Sequence, residues 1–341
     1  MFKLRIIIIG FGVVGQSFVK LLLKREKDLK KRFKFHPKVV AVVDRSGAAL
    51  NPKGLDLQKI LEVKTMKGSV SMDKENGIPE ANPVKILEEV DAEVMVEVTP
   101  TNIVDGEPGL THIKTALRTG KHVITTNKGP LALAFPALME LAQYNNVFLR
   151  FSGCVGGGTP ILEFAKRCLE GDQIVSIRGI LNGTTNYILT KMTHEHIPFE
   201  EALTEAQRAG YAEADPSMDV DGFDSACKLV ILSNWVLGLK TVLKDVKIKG
   251  IRDITLEDVE KALRKGCEIK LIASADTELK VSPEEIPKTN PLCVGGVLNA
   301  VTFVSKYAGE ETIVGRGAGG TETASAILRD LLTIKRNISK V

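Results

Sequence analysis

Residues Gly210 to Lys228 combine carboxylates and a lysine in a pattern that could carry out proton-transfer chemistry. Five acids fall within a dozen residues and one lysine follows them: Glu213, Asp215, Asp219, Asp221, Asp224 and Lys228. Beyond them, apolar residues recur at helical spacing and predict a helix that begins near Asp221. The segment therefore predicts an acidic loop that leads into a helix.

The predicted helix places Asp221, Asp224 and Lys228 on one face, because they are three and four residues apart. A solvated helix start with an ordinary surface ion pair would show the same spacing. The helix continues as a mostly apolar run from Leu229 to Leu239, which indicates burial and favours a functional site. Neighbouring acids would keep Lys228 protonated, whereas burial would ease release of its proton, and the sequence leaves that balance open.

The first residues predict a dinucleotide-binding loop. Leu4 to Ile9 is an apolar run typical of a central parallel strand, and a helix is expected from about Val14 to Lys30. Between them lies GFGVVG, which comprises Gly10, Phe11, Gly12, Val13, Val14 and Gly15. Its glycines permit a tight turn, close approach of a pyrophosphate and packing of the helix on the strand. We expect a Rossmann-type parallel sheet that binds NAD or NADP.

The second predicted strand, Val39 to Val43, ends in two residues that bear on the choice of cofactor. An acid in the position of Asp44 usually bonds the adenosine ribose hydroxyls. An arginine in the position of Arg45 can hold a 2′-phosphate. Because both residues are present, the sequence does not decide whether the protein prefers NAD or NADP.

Two later strands are expected to end beside this site. Asp91 to Val98 is followed by Thr99, and His122 to Thr125 is followed by a loop that contains Lys128. The carboxyl ends of parallel strands meet at the edge of the sheet where ligands bind. Lys128 is therefore placed for chemistry, although a solvated loop lysine is the alternative.

A glycine cluster from Ser152 to Pro160 indicates a tight crossing into a second domain. Its carbonyl groups could bind a cation or a ligand, but glycines at a crossing are often purely steric. Predicted strands at Gln173–Ile180 and Gly296–Ser305, mixed with helices, indicate an α+β domain. A second cluster, Gly315 to Gly320, leads into a helix from about Thr321 to Ile334 that is expected to pack back on the nucleotide-binding domain.

The predicted organisation is α/β, with a nucleotide-binding domain in 1–151, a second domain in 152–310 and a C-terminal segment in 311–341. A net charge of +4 without a dense basic face argues against nucleic-acid binding. Five scattered cysteines without metal-ligand spacing favour reduced thiols in a cytoplasm. No apolar run approaches the roughly 20 residues of a membrane span. We expect a cytoplasmic protein that acts on small molecules.

Several stretches together resemble homoserine dehydrogenase. In chain order they are GFGVVG, VTPTN, GEPG, TTNKGPLA, SGCVGGGTP, LNGTTNYIL, GYAEADPSMDVDGFDSACK and GRGAGGTETASAIL. The resemblance implies NAD(P)H-dependent reduction of L-aspartate 4-semialdehyde to L-homoserine, in threonine and methionine biosynthesis. It also implies a Rossmann domain, a mixed α+β domain for substrate binding and dimerisation, and a homodimer. The chain is similar to short members that lack a C-terminal regulatory domain, so feedback by threonine through such a domain is not expected.

The resemblance also assigns roles to individual residues. Lys228 matches the lysine that acts as general acid or base, and Lys128 the lysine at the nicotinamide and substrate. Three acids match residues that hold the substrate, namely Glu213, Asp219 and Asp224. Two residues, Thr99 and Gly319, match positions that contact the cofactor. Three more match positions whose carbonyl groups bind sodium, namely Val155, Gly157 and Thr159. Ser152 stands where some members have a glutamate, which is a departure from the sodium-binding pattern. The N–H groups from Asn182 to Thr185, including that of Gly183, are candidates for the substrate carboxylate.

Two other hypotheses fit parts of the sequence. Another Rossmann dehydrogenase with a lysine acid could act on an amino or hydroxy acid. A binding protein that senses pyridine nucleotides would keep GFGVVG but would have no reason to retain Lys128 and Lys228 together. For the dimer, strands Gln173–Ile180 and Gly296–Ser305 are the expected interface, because they are too apolar to face solvent.

Overall fold

The structure is a computed structural model that describes residues 2–339. Its strands are β1 (Phe2–Ile9), β2 (Phe35–Asp44), β3 (Gly47–Leu50), β4 (Gly77–Pro79), β5 (Val94–Glu97), β6 (His122–Thr125), β7 (Leu149–Arg150), β8 (Ile174–Ile180), β9 (Lys247–Ile248), β10 (Cys267–Ala275), β11 (Leu279–Pro287), β12 (Leu298–Ser305) and β13 (Gly309–Arg316). Its helices are α1 (Val13–Arg32), α2 (Leu57–Lys67), α3 (Pro83–Glu89), α4 (Gly109–Arg118), α5 (Lys128–Tyr144), α6 (Ile161–Glu163), α7 (Gly183–Glu195), α8 (Phe199–Arg208), α9 (Ser217–Val220), α10 (Phe223–Leu237), α11 (Leu256–Arg264) and α12 (Gly320–Ile338). The ends of the predicted segments 1–151 and 311–341, at residues 1, 340 and 341, lie outside the described residues.

The first sheet has seven strands in the order β4-β3-β2-β1-β5-β6-β7. The five strands from β2 to β7 in that order are parallel, and β3 and β4 extend the β2 edge in antiparallel pairing. The chain runs from β1 to β2 and later returns to β5 on the other side of β1, so the strand order reverses there. A doubly wound sheet binds its ligand at the carboxyl ends of such strands. The predicted Rossmann-type sheet is confirmed.

The final helix, α12, completes the core of the first sheet. Its buried residues Ile327 and Leu331 lie in one apolar cluster with Ile6 and Ile8 of β1 and Phe18 of α1. Full burial of one such aliphatic side chain contributes roughly 1.5–3 kcal/mol to folding. The residues up to Cys154 and those from Gly319 onward accordingly form one compact unit, while Val155 to Ala318 form another.

The second unit contains a six-stranded sheet in the order β13-β12-β8-β10-β11-β9. All its pairs are antiparallel except β9 with β11. β13 pairs with β12 along its full length, from Leu298 opposite Arg316 to Ser305 opposite Gly309. Residues 311–318 therefore lie in the second unit and not in the C-terminal segment expected from the sequence.

Several apolar residues of β8 and β12 are buried inside the second unit, although Val175 of β8 is 48% exposed. Ile177 lies opposite Phe303, and both side chains are at most 1% exposed. The other face of the same strands carries Arg178 opposite Thr302, next to the buried pair of Ile180 and Ala300. The buried residues of these strands therefore need no dimer to cover them, and the dimer stays a prediction.

Two helices begin at positions that differ from the predictions. α5 begins at Lys128, because the side chain of Asn127 accepts a 3.1 Å hydrogen bond from the N–H of Gly129 and caps it. Lys128 is thus the first residue of a helix and not a loop residue. α10 begins only at Phe223, after Gly222 with a left-handed φ of 90°. No helix within residues 2–339 is both long and apolar enough to cross a membrane.

Candidate active site

A buried lysine and an aspartate form an ion pair near the start of α10. Lys228 Nζ donates 2.6 Å hydrogen bonds to Oδ2 of Asp224 and to the backbone carbonyl of Leu181. Lys228 and Asp224 are each 7% exposed. Because water screens buried charges weakly, this pair interacts more strongly than an ion pair on the surface.

Asn182 joins a second aspartate to this pair. Its side-chain nitrogen lies 2.6 Å from Oδ1 of Asp219 and 2.8 Å from Oδ2 of Asp224. Its side-chain oxygen accepts a 2.8 Å hydrogen bond from the backbone N–H of Thr185 and caps α7. We refer to Asn182, Asp219, Asp224 and Lys228 as the lysine–aspartate cluster. The sequence indicated the backbone N–H groups of the Asn182 turn as an anion site but did not reveal the contacts of this side chain.

The cluster carries more negative than positive charge. Burial raises the pKa of Asp219, and the nearby carboxylate of Asp224 raises it further. The hydrogen bond from Asn182 and the charge of Lys228 oppose this rise. When both aspartates are ionised, one lysine leaves them under-compensated, so the cluster attracts a cationic group.

Two backbone features fix the cluster in place. β8 ends at Ile180, so Leu181 and Asn182 follow directly from a strand in the middle of the second sheet. Gly183 then opens α7, and a Cβ there would lie 2.9 Å from the carbonyl oxygen of Val297. A larger residue would displace the helix start, whose N–H groups favour an anion.

The other acids of the stretch lie outside the cluster. Asp221 forms an ion pair with Arg252, so the prediction that it shares a face with Asp224 and Lys228 is wrong. The cause is the left-handed Gly222, which separates Asp221 from α10. Glu213 is exposed, and within residues 2–339 no hydrogen bond or ion pair joins its carboxylate to Asp219 or Lys228.

The glycine loop of the first unit has the geometry of a phosphate-binding turn. Gly10 has a φ of 98°, and a Cβ there would lie 2.6 Å from the carbonyl oxygen of Val98. A Cβ at Gly15 would clash with the carbonyl of Gly10. At Gly12, by contrast, a Cβ would meet nothing within 4 Å. Packing within the protein thus explains Gly10 and Gly15 but not Gly12, whose bare backbone fits the approach of a pyrophosphate.

The carboxylate of Asp44 is occupied by donors of its own unit. They are Lys64 Nζ at 2.7 Å, the Ser69 hydroxyl at 2.8 Å, and the backbone N–H groups of Ser46 and Val70 at 3.0 Å. Burial alone would raise the pKa of Asp44, but these hydrogen bonds together lower it. Asp44 thus anchors the turn after β2, while the neighbouring Arg45 is exposed.

A buried carboxylate that the sequence analysis missed lies at the end of β5. Glu97 is 0% exposed, and it accepts hydrogen bonds from the hydroxyl of Thr125 at 3.0 Å and the N–H of Thr99 at 3.1 Å. Asn127 donates to the Thr99 hydroxyl at 3.3 Å and caps α5. These bonds tie Thr99 to the start of the helix that carries Lys128. An acid within the apolar run DAEVMVEV was the available signal.

The two glycine clusters contain the remaining predicted residues. Gly156 and Gly157 have left-handed φ values of 77° and 53°, so the chain turns sharply between Val155 and Thr159. Ser152 is buried, and its hydroxyl and N–H donate to Asp330 at 2.6 and 2.8 Å. Gly319 precedes α12 with a φ of 131°. Among residues 2–339, no group of three or more His, Cys, Asp or Glu residues is placed to hold a metal ion.

Family models match the two parts of the chain. Residues 10–152 match the NAD-binding domain of homoserine dehydrogenase, and residues 160–332 match the homoserine dehydrogenase domain. The homoserine dehydrogenase of Methanocaldococcus jannaschii is 48% identical, over 98% of this chain and 99% of that protein. The chain belongs to the homoserine dehydrogenase family.

Two further members of the family bear on the cofactor. The NAD(+)-dependent homoserine dehydrogenase of Pseudomonas canavaninivorans is 38% identical over 100% of this chain and 98% of that protein. A hyperthermophilic archaeal homoserine dehydrogenase in complex with NADPH has a TM-score of 0.87 and 30% identity, with 98% of each chain covered. The chain is therefore an NAD(P)-dependent oxidoreductase that interconverts L-aspartate 4-semialdehyde and L-homoserine in amino-acid biosynthesis.

Proposed function

We propose that Lys228 is the general acid and base of this reaction. The observation that carries the proposal is its Nζ, buried and held at 2.6 Å from both a carboxylate and a carbonyl. When bound, the nicotinamide supplies or accepts the hydride. In the direction of reduction, the aldehyde oxygen gains negative charge and takes a proton from Lys228. In the reverse direction the neutral amine takes the proton of the homoserine hydroxyl.

The substrate amino acid has charges that the lysine–aspartate cluster can hold. Its ammonium group fits between Asp219 and Asp224, whose negative charge exceeds that of Lys228. Its carboxylate fits the N–H groups at the start of α7 other than that of Thr185, which already donates to Asn182. Glu213 is assigned to the substrate by family resemblance alone, because its carboxylate is solvent-exposed.

Lys128 is the second lysine of the proposal. As the first residue of α5 it directly follows Asn127, which the Glu97 and Thr99 hydrogen bonds hold in place. We assign it to the carboxamide end of the cofactor and to the substrate oxygen. It is also the alternative proton donor if Lys228 serves only as a partner of Asp224.

The proposed cofactor contacts are the GFGVVG loop, Thr99, Gly319 and the end of β2. The loop residues are Gly10, Phe11, Gly12, Val13, Val14 and Gly15, and they would cradle the pyrophosphate. Asp44 stays a candidate for the ribose hydroxyls, but four donors already occupy it, so its larger effect would be to hold Arg45 in position. Arg45 would then bind the 2′-phosphate of NADP.

The proposal also covers the oligomeric state, the cellular location and a bound cation. The chain is a cytoplasmic homodimer, joined through the face of the second sheet that carries Arg178 and Thr302. Sodium is bound by carbonyl groups of Val155, Gly157 and Thr159, since hard cations prefer oxygen ligands and these residues form a sharp glycine turn. A higher thermal midpoint in sodium chloride than in choline chloride of equal ionic strength would support the cation.

An assay of reduced-nicotinamide absorbance tests the reaction and separates the alternatives. Wild-type protein should oxidise homoserine and reduce aspartate semialdehyde with NADP or NAD. A dehydrogenase for another amino or hydroxy acid would use a different substrate, and a nucleotide-sensing protein would bind NADPH without turnover. Loss of turnover in Lys228→Ala, with NADPH binding retained, would support the assignment of the lysine.

A further inference from the structure

Asn182 uses every hydrogen-bonding position of its side-chain amide within the lysine–aspartate cluster. Its nitrogen has two hydrogens and lies within 2.8 Å of both Asp219 and Asp224. Its oxygen accepts from the N–H of Thr185 at 2.8 Å and from the Thr185 hydroxyl at 3.1 Å. The residue is 4% exposed, so solvent is largely excluded from replacing these bonds.

We infer that Asn182 is a positioning residue for the reaction, which holds Asp219 and Asp224 ionised side by side so that Lys228 and the substrate ammonium meet two carboxylates in fixed places. This inference rests on the proposed function of the cluster. The adjacent Leu181 carbonyl accepts from Lys228 at 2.6 Å, so two consecutive residues after β8 organise all three charged groups. Asn182 itself touches neither the reacting atoms nor the proton in transfer.

The amide is needed because two nearby carboxylates, the buried Asp224 and the half-buried Asp219, repel each other. Without a donor between them, one carboxylate would hold a proton and lose its charge. Asparagine supplies two N–H donors from one uncharged nitrogen and still keeps an acceptor for the helix cap. Aspartate caps a helix equally well, but it would add a third negative group instead of the two donors.

The groups that face Asp219 define the direction of the pH effect. Asp224 and Lys228 face it from α10, while α7 contributes the uncharged Asn182 and Thr184. The segments beside α9 add Asp215, which accepts a hydrogen bond from Ser217, and the Asp221–Arg252 ion pair. Burial and Asp224 raise the pKa of Asp219, and the Asn182 hydrogen bond lowers it. Loss of that bond should raise the pKa further, so the ionised form is lost at a higher pH.

The test compares two asparagine-to-aspartate variants that both keep a helix cap. In Asn182→Asp, the acid limb of kcat/KM for homoserine should move upward by about one pH unit or more. NADPH affinity, measured by fluorescence, should stay within twofold. The matched control is Asn82→Asp, because Asn82 caps α3 of the other unit through Val84 at 2.8 Å. The control should keep the wild-type profile.

An unchanged acid limb in Asn182→Asp would overturn the inference and leave the residue as a helix cap alone. Total loss of activity with wild-type NADPH affinity and thermal midpoint would support it, because the cap is retained. If Asn182→Asp does not fold, Asn182→Ser carries the same test, since serine keeps a cap but cannot reach both carboxylates. Retained turnover in Lys228→Ala would refute the proposed role of Lys228. An inactive Lys228→Ala together with a wild-type acid limb in Asn182→Asp would refute only the role of Asn182.

Discussion

Lys228 and Asp224 lie one turn apart on α10, with Nζ and Oδ2 separated by 2.6 Å. Because both side chains are buried, removal of either one leaves the other as a buried charge that has lost its main counter-charge. The pair should therefore behave as one unit in catalysis and in stability.

Lys228→Ala should lower the turnover number by roughly 10²–10⁴-fold, the usual loss for a general acid. Most of the loss should appear in kcat, because the proton is transferred only in the transition state. NADPH affinity should barely change. Steady-state kinetics with a separate fluorescence titration measures both, and a turnover number within threefold of wild type would transfer the role to Lys128.

A double variant and a control variant test whether the loss is specific to the Lys228–Asp224 pair. Lys228→Ala and Asp224→Ala together should cost less than the sum of the single changes, because each already disables the pair. Lys191→Ala is the matched control, since Lys191 is also paired on a helix of the same unit, with Glu195. Its turnover number should equal that of wild type.

Arg45→Ala should weaken NADP(H) binding about tenfold or more and leave NAD(H) nearly unchanged, because a charge-assisted contact to a 2′-phosphate contributes roughly 1.5–3 kcal/mol. The exposed Lys74 of the same unit provides the control Lys74→Ala. Fluorescence titration measures the affinity of each variant for both cofactors. Equal losses for the two cofactors would show that Arg45 only shapes the turn after β2.

Asp44→Asn should lower the free energy of unfolding at neutral pH by about 1–3 kcal/mol, because four donors, of which Ser69 and Val70 are buried, lose a charged acceptor. The folded pKa of Asp44 lies below its ordinary value, so its stabilisation is present above the unfolded pKa of about 3.9. It is lost as the pH falls through the folded pKa, where wild type and variant should converge. Urea titrations across that range measure this, with the half-exposed Asp28→Asn as a control expected to change little.

Val314→Arg should convert the proposed dimer into a monomer. Val314 is 45% exposed and lies opposite Ala300, on the face of the second sheet that carries Thr302 and Arg178. An arginine there would place a charge inside the interface. Light scattering gives the mass, with Tyr144→Arg as control because Tyr144 is 87% exposed in the first unit. A dimeric Val314→Arg would move the interface elsewhere.

Local pattern predicted much of the fold and part of the site. The apolar run of β1 and the register of GFGVVG fixed the Rossmann-type sheet, because strand burial and glycine geometry are properties of adjacent residues. The partners of Asp44 could not be predicted in this way, since Lys64 and Val70 reach it from segments 20 and 26 residues away. The same holds for Asn182, which meets Asp219 and Asp224 from 37 and 42 residues away.

One local expectation failed for a local reason. Asp221 fits the helical spacing of Asp224 and Lys228, but spacing does not reveal that Gly222 takes a left-handed conformation. The role of Glu97 was not predicted for a different reason. One acid in an apolar strand does not indicate which groups will donate hydrogen bonds to it. Its donors are Thr99, two residues further along the chain, and Thr125, at the end of the neighbouring strand β6.

The place of α12 in the core of the first sheet has a consequence for how the protein folds while it is being synthesised. A chain that emerges from the ribosome presents β1 first, yet the apolar surface that Ile327 and Leu331 cover stays open until the last helix is made. The second unit, continuous from Val155 to Ala318, is complete before that moment. A truncated chain that stops near Phe151 would lack these core residues. The half of the protein encoded first is therefore the half that finishes folding last.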